Sequence, residues 1–350
     1  MSAPGVLGKT GVTADTGFSM AKLVTIYGGS GFIGRYIARR MAKLGWRVRV
    51  AVRRPNDAHF TKTYGVVGQV EPVFCNIRDD DSVRRVMQGA DAVVNCVGIL
   101  AEAGKQTFEA VQQQGAARIA RIAAQEGVEH LVQISAIGAD AGSDSAYART
   151  KAAGEQAVQQ NFPGAVILRP SIVFGPGDGF FNRFASMTRL SPVLPLVGPD
   201  TKFQPVYVDD VAHAAELGAT GRAEPDIYEL GGPDVESFRD LMAQMLRTIR
   251  RRRMIVGLPF GLARIMGRFF GGVSKVSGGI LQGPITEDQV EQLKRDNVVH
   301  EGVKTFADLG IVPTPTEAVL PDYLWRFRPS GQYAEIKESA RNLRHKGPQT

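Results

Sequence analysis

The chain has 350 residues and a mass of 37.8 kDa, which suits one large α/β domain with a smaller lobe. Apolar residues make up 43% and charged residues 22%, a balance that buries a sizeable core and excludes a disordered or fibrous chain. Two cysteines exclude a disulfide framework and favour a reducing compartment. No uncharged run approaches the roughly 18 residues of a membrane-spanning helix.

The net charge of +7 is unevenly placed. Residues 1–240 hold 25 basic and 25 acidic side chains, whereas residues 241–350 hold 17 and 10. Between Leu241 and Thr286 there are eight Lys and Arg and no acid. Such asymmetry points to an anionic partner, against the alternative of a solvated basic face. No helix-turn-helix, finger or aromatic-studded sheet pattern supports nucleic acid. No Cys/His spacing suggests a metal site.

Residues 1–19 have neither an apolar h-region nor an arginine, so they read as a disordered extension, with Met20 as a possible start. Lys22–Tyr27 reads as a buried strand. Gly28-Gly29-Ser30-Gly31-Phe32-Ile33-Gly34 follows, then helical periodicity over Phe32–Leu44. Small residues between a strand and a helix let the backbone approach a pyrophosphate, held by N–H groups and the positive helix end. The candidate cofactor contacts here are Gly28, Ser30, Gly31, Phe32, Ile33, Gly34 and Arg35.

Trp46–Val52 is the second strand. An NAD-selective site carries an acid near its tip. This tip carries Arg53 and Arg54 instead, which suit a 2′-phosphate with help from Arg35, and predict NADPH as cofactor. Val70–Phe74, Ala92–Val97, His130–Ile134 and Ala165–Leu168 continue the strand series. Helical stretches lie over Asp81–Gln88, Phe108–Gln125 and Ala148–Gln160. This alternation predicts a doubly wound parallel sheet of Rossmann type. At its carboxyl edge, Asn76 and Ile77 would flank the adenine, and Val97 and Gly98 would approach the dinucleotide. Asn95 reads equally well as an ordinary turn residue.

Ser135 ends the fifth strand, and Tyr147 and Lys151 follow at a spacing that puts them on one helical face. An ammonium beside a phenol lowers its pKa and suits it to proton transfer. Lys151 also suits a nicotinamide ribose, and Ser135 a substrate carbonyl.

The glycine loop, Ser135, Tyr147 and Lys151 resemble the short-chain dehydrogenase/reductase superfamily. Leu168–Asp178 (LRPSIVFGPGD) and Val206–Ala212 (VYVDDVA) resemble its extended and atypical branches, over about residues 20–330. The resemblance implies that the Arg169-Pro170 strand end approaches the nicotinamide side. GGSGFIGR at Gly28–Arg35, LRPSIVFGPGD, Phe203–Val208 and the stretch from Gly257 are similar to the dehydrogenase-like accessory subunits of respiratory complex I. That likeness implies a tightly held NADPH, complex I subunits as partners, and a structural role on the peripheral arm near the quinone site. It also implies the cytoplasmic face of a bacterial inner membrane, or the matrix side in a eukaryote. The complete Ser, Tyr and Lys set leaves open a free NADPH-dependent reductase, epimerase or dehydratase acting on a sugar nucleotide or isoprenoid-like substrate.

After Arg169 the pattern turns Pro- and Gly-rich, where a smaller lobe is woven in. His213 reads as an ordinary helical residue. Ser237 and Asp240 open a helix that runs towards Arg247 and Arg250–Arg253. Leu258–Phe270 reads as a basic amphipathic helix, with Leu262, Ile265, Met266 and Phe269 on one side and Arg264 and Arg268 on another. Arg250–Phe270 is therefore the expected contact with an anionic membrane surface. The expected division is an extension at 1–19, an NADP-binding core at 20–170, interwoven Rossmann elements and lobe at 171–330, and a tail at 331–350.

Overall fold

The computed structural model describes residues 21–265, 286–329 and 331–333. Its strands are β1 (Leu23–Tyr27), β2 (Arg47–Val52), β3 (Val70–Phe74), β4 (Ala92–Asn95), β5 (His130–Ile134), β6 (Val166–Pro170), β7 (Val173–Phe174), β8 (Val193–Val197), β9 (Lys202–Phe203), β10 (Val206–Tyr207), β11 (Ile227–Leu230), β12 (Glu236–Ser237) and β13 (Met254–Leu258). The helices are α1 (Phe32–Lys43), α2 (Asp80–Met87), α3 (Gln114–Gln125), α4 (Ala146–Asn161), α5 (Phe181–Leu190), α6 (Val208–Ala219), α7 (Phe238–Thr248), α8 (Glu287–Gln292) and α9 (Thr316–Leu324).

Seven strands form one parallel sheet in the order β11-β6-β5-β4-β1-β2-β3. The order reverses beside β1, where a doubly wound sheet opens its ligand crevice. Side chains alternate between the two faces with the strand period of two. Val24 and Ile26 join Ile37, Met41, Val211 and Ala215, from α1 and α6, on one face. Leu23 and Tyr27 join Val83, Met87, Ile119 and Ile122, from α2 and α3, on the other. Burial on both faces explains why the strands read as continuous apolar runs.

A separate core lies outside the sheet. Phe174, Phe181, Leu194, Phe238, Met242 and Leu320 are buried in it, and the rings of Phe180 and Phe238 stack at 5.6 Å. Asp178 ties this core together. Its Oδ1 accepts from Asn182 N at 3.0 Å, and its Oδ2 from the Tyr323 hydroxyl at 2.5 Å.

Several boundaries differ from the sequence reading, each for a local reason. β4 stops at Asn95 because that side chain turns inward. Its Nδ2 donates to Gln133 Oε1 at 2.8 Å, and its Oδ1 accepts from Val97 N at 3.1 Å. The helix expected from Phe108 opens with a π turn over Glu109–Gln113 before α3. β6 runs on to Pro170, whose carbonyl accepts from Ile137 N at 3.1 Å.

Ser237 caps α7 as expected, accepting from Asp240 N. The helix ends at Thr248, before the arginine run. Arg251 N donates back to Leu246 O at 3.1 Å, and Arg250 turns the chain with φ 55°. This is a left-handed helix stop without the usual glycine. The amphipathic helix expected over Leu258–Phe270 starts later than the sequence suggests. Leu258 ends β13, which pairs with β8, and only residues 260–265 are described as helical. Met266, Arg268, Phe269 and Phe270 lie outside the described residues. Among the described residues no helix is long and apolar enough to cross a membrane.

Candidate active site and dinucleotide cradle

The glycine loop is held by its own backbone. Gly28 sits at φ +74° and donates to Ala51 O at 2.9 Å, and Gly31 N donates to Gly28 O at 2.9 Å. A Cβ on Gly34 would lie 2.5 Å from Gly28 O and 2.7 Å from Gly29 Cα. Both are backbone atoms, so only glycine permits this close crossing of helix and loop. Gly31 caps α1 with no side-chain hydrogen bond, and the first turn holds no acid. The first N–H groups of α1 therefore face the loop without a competing side chain, the arrangement that receives an anion.

Ser30 is half-buried in the loop, and Ile33 packs against the core. Phe32 meets Tyr36 edge-on at 6.1 Å. The Arg35 guanidinium donates to Pro176 O at 2.7 Å, which fastens α1 to the loop after β7. Arg53 and Arg54 are exposed immediately past β2, and Arg54 comes within 4.0 Å of Asp57. Asn76 Oδ1 accepts from Arg78 N at 3.2 Å, shaping the turn after β3. A Cβ on Gly115 would lie 2.9 Å from Ile77 Cδ1, so Ile77 lies against α3. A Cβ on Gly28 would lie 3.3 Å from Val97 Cγ2, which brings the β4 end to the glycine loop.

Ser135, Tyr147 and Lys151 gather beside this edge. Ser135 N donates to Leu168 O at 2.7 Å, fixing the residue at the end of β5. Its buried Oγ has no hydrogen-bond partner among the described residues. Lys151 Nζ donates to Ile134 O at 3.3 Å and lies 5.9 Å from the Tyr147 ring centre. A Cβ on Gly98 would stand 3.4 Å from that ammonium, so the backbone past β4 closely approaches Lys151. Phe108 packs edge-on to Tyr147 at 5.8 Å.

The proton balance of the pair differs from the sequence expectation. Burial pushes the Tyr147 phenol up to about 12, with Asp288 adding in the same direction. Burial pulls the Lys151 ammonium down to about 8, opposed by Glu155 and Cys96. Desolvation thus disfavours the charged form of both groups.

Other residues of the region come from distant parts of the chain. Asp288, on α8, accepts from Ser145 Oγ at 3.0 Å and Ala146 N at 2.7 Å, at the start of α4. Asn297 Oδ1 accepts from Ser171 Oγ at 2.7 Å and Ile172 N at 3.1 Å, just past β6. Arg169 is gripped by two buried carboxylates, Glu155 at 2.6 Å and Glu229 at 3.4 Å. Its side chain braces α4 against β6 and β11, and it is Pro170 that continues to the strand end. Thr286 and Gln289 form a capping box for α8 that is readable in sequence. Nothing in sequence shows which helix Asp288 then meets.

Residues 24–231 match the NAD dependent epimerase/dehydratase family. The chain is 36% identical over 317 residues to the Arabidopsis thaliana mitochondrial protein named NADH dehydrogenase (ubiquinone) 1 alpha subcomplex subunit 9, covering 88% of this chain and 79% of that one. It is 30% identical to the mitochondrial NADH-ubiquinone oxidoreductase 40 kDa subunit of Neurospora crassa, covering 88% and 80%. The fold is similar to that of the UDP-glucose 4-epimerase of Thermus thermophilus, solved with NAD, with a TM-score of 0.63, 20% identity, and 88% and 99% of the two chains covered. The chain belongs to the NAD dependent epimerase/dehydratase family, in the branch that includes the subunit 9 proteins of NADH dehydrogenase.

Proposed function

We propose that this chain is an NADPH-binding accessory subunit of respiratory complex I. It would sit on the peripheral arm, near the membrane and the quinone site. The observation that carries this reading is the likeness at 36% identity to a complex I subunit over 88% of the chain, C-terminal lobe included. A dehydrogenase core alone would not require the lobe to match.

The residues present fit a dinucleotide. The Gly28–Gly34 crossing leaves backbone where side chains would stand, and the uncapped start of α1 suits a pyrophosphate. Arg53 and Arg54 would pair with a 2′-phosphate, which selects NADPH. Arg35 would help them, although its guanidinium already donates to Pro176 O. Val97, Gly98 and Pro170 would line the nicotinamide side, with Asn76 and Ile77 at the adenine. Lys151 would donate to the nicotinamide ribose. When bound, the group supplies hydride chemistry, but in a subunit its role is to stiffen the fold. The basic region from Arg250 would face an anionic membrane surface or a complex I neighbour, on the cytoplasmic or matrix side.

One observation favours a second reading, a free NADPH-dependent reductase, epimerase or dehydratase. The sequence carries Ser135, Tyr147 and Lys151 together, and the Ser135 hydroxyl is buried without a partner among the described residues. In that reading Ser135 would donate to a carbonyl and Tyr147 would move its proton. Tyr147→Phe separates the two. A structural subunit keeps full assembled NADH:quinone activity in membranes. A reductase loses most of its carbonyl-dependent NADPH oxidation while binding the cofactor normally.

A further inference from the structure

Four arginines from three chain segments converge around Phe327. Arg189 lies at the end of α5, Arg251 and Arg253 precede β13, and Arg326 lies in the turn after α9. Arg189 Nη2 donates to Arg326 O at 2.8 Å, Arg251 Nε to Phe327 O at 2.8 Å and Arg253 Nε to Thr188 O at 2.9 Å. The guanidinium carbons of Arg189 and Arg326 each lie 5.1 Å from the centre of the buried Phe327 ring.

Bridging arginines elsewhere meet either carbonyls, as Arg35 and Arg49 do, or carboxylates. Arg40 pairs with Asp209 and Glu216, Arg84 with Glu126, and Arg169 with Glu155 and Glu229. The cluster belongs with the first kind, since its hydrogen-bond partners among the described residues are neutral carbonyl or amide oxygens, Asn182 Oδ1 in the case of Arg326, but here such arginines lie together. Burial, Arg253 and Arg189 together disfavour the charge on Arg251. Each guanidinium spends only part of its five-donor fork on these contacts. Forks held in place by backbone, with donors left over and like charge around them, are built for a phosphate.

The surroundings choose between a free phosphate and a lipid. Leu190, next to Arg189, is 94% exposed, and Met254, next to Arg253, is 67% exposed. Pro192 O accepts from Met254 N at 3.1 Å, which holds the two apolar side chains' segments together. Arg264, which the sequence put at the centre of the basic contact, is instead neutralised by Glu291 at 3.2 Å. The geometry points to a phospholipid headgroup site at Arg189, Arg251, Arg253 and Arg326, with Leu190 and Met254 entering the acyl boundary. This deepens the membrane-facing part of the proposed function and rests on it for the orientation of the lobe.

Flotation of the full-length protein with vesicles tests it, using phosphatidylglycerol in phosphatidylcholine against phosphatidylcholine alone. The wild type should float only with the anionic vesicles. Arg189→Gln with Arg326→Gln should weaken binding by about tenfold or more, and Arg264→Gln by less than about twofold. Arg189→Lys with Arg326→Lys keeps the charge and should still lose affinity, because the fork is gone. Melting curves confirm that each variant is folded, and should a double Gln variant unfold, the Lys pair carries the comparison. Equal losses for Arg264→Gln and the cluster, or no loss in the Lys pair, would make the attraction diffuse and overturn the site. Inorganic phosphate that abolishes flotation at millimolar concentration would mark a free-phosphate site and overturn the lipid assignment. A wild type that co-purifies with complex I yet ignores anionic vesicles also overturns it. One that binds these vesicles but has no complex I partner leaves the site standing and removes the subunit reading.

Discussion

Asp288 accepts from Ser145 Oγ at 3.0 Å and from Ala146 N at 2.7 Å, so a carboxylate 143 positions down the chain sits at the N-terminus of α4. That helix carries Tyr147 in its first turn and Lys151 in its second. The C-terminal lobe thus sets the end of the helix that carries Tyr147 and Lys151, and an anion there also suits the helix dipole.

Asp288→Asn should therefore act on stability and on Tyr147 together. Hydrogen bonds to a charged group are worth about 1.5–3 kcal/mol, and the melting temperature should fall accordingly. Asp288 adds to burial in holding the phenol up at about 12, so the variant should ionise Tyr147 at lower pH. Ultraviolet titration of phenolate, with Tyr147→Phe subtracted, checks this. A fall in stability with no movement of the Tyr147 titration would limit Asp288 to a clamp.

Gly34→Ala should open the cradle. The added Cβ would meet Gly28 O at 2.5 Å and Gly29 Cα at 2.7 Å, both in backbone. Overpacking of this kind costs about 1–3 kcal/mol. Purified protein should lose both melting temperature and retained dinucleotide. Gly45→Ala is a control that separates strain from space, since φ is +84° there but nothing lies within 4 Å. It should lower stability without affecting the dinucleotide.

Arg53→Asp should release NADPH selectively. It removes one charged hydrogen bond and adds repulsion, about 1.5–3 kcal/mol together. Acid extraction and chromatography of the wild type should yield the 2′-phosphorylated nucleotide, and the variant little of it. Where the bound cofactor supports the fold, the melting temperature drops with its loss. NADH alone in the wild-type extract would contradict the selectivity.

The sheet and cradle were legible because their signals are local. Burial on both faces makes apolar strand runs, and the glycine spacing follows from one tight crossing beside β1. At Leu258 the strand pairing with β8, set by distant residues Val193–Val197, overrides the helical apolar period, which residues 260–265 keep. Spacing puts Tyr147 and Lys151 near each other on one helix, where ammonium and ring centre lie 5.9 Å apart, but it does not record their proton affinities, because desolvation depends on everything packed around them. Asp288, Asn297 and the arginines around Phe327 are tertiary meetings. Their partners lie far away in sequence, and no spacing records them.

Lys151 gives a pH dependence of known sign. Its ammonium is held down at about 8 in the fold, against an ordinary 10.5. Below about 8 both states are protonated and the native state bears the full cost of a buried charge. Between about 8 and 10.5 the unfolded chain binds more protons, so the contribution of Lys151 to stability rises with pH. Lys151→Met removes that group. In cofactor-free protein its stability advantage over wild type should shrink as pH rises from about 7 to about 10. An advantage that stays constant would place the ammonium in solvent, and one that grows would mean that the fold stabilises its charge, either of which contradicts the reading.

Gentle affinity purification of the tagged protein from its native host, with mass spectrometry of what accompanies it, tests the subunit reading most directly. The account predicts peripheral-arm subunits of complex I in the eluate, together with stoichiometric NADPH, and retention of those partners in Tyr147→Phe. A protein that elutes alone and oxidises NADPH with a carbonyl substrate, losing that activity in Tyr147→Phe, would contradict the account and make the chain a free reductase.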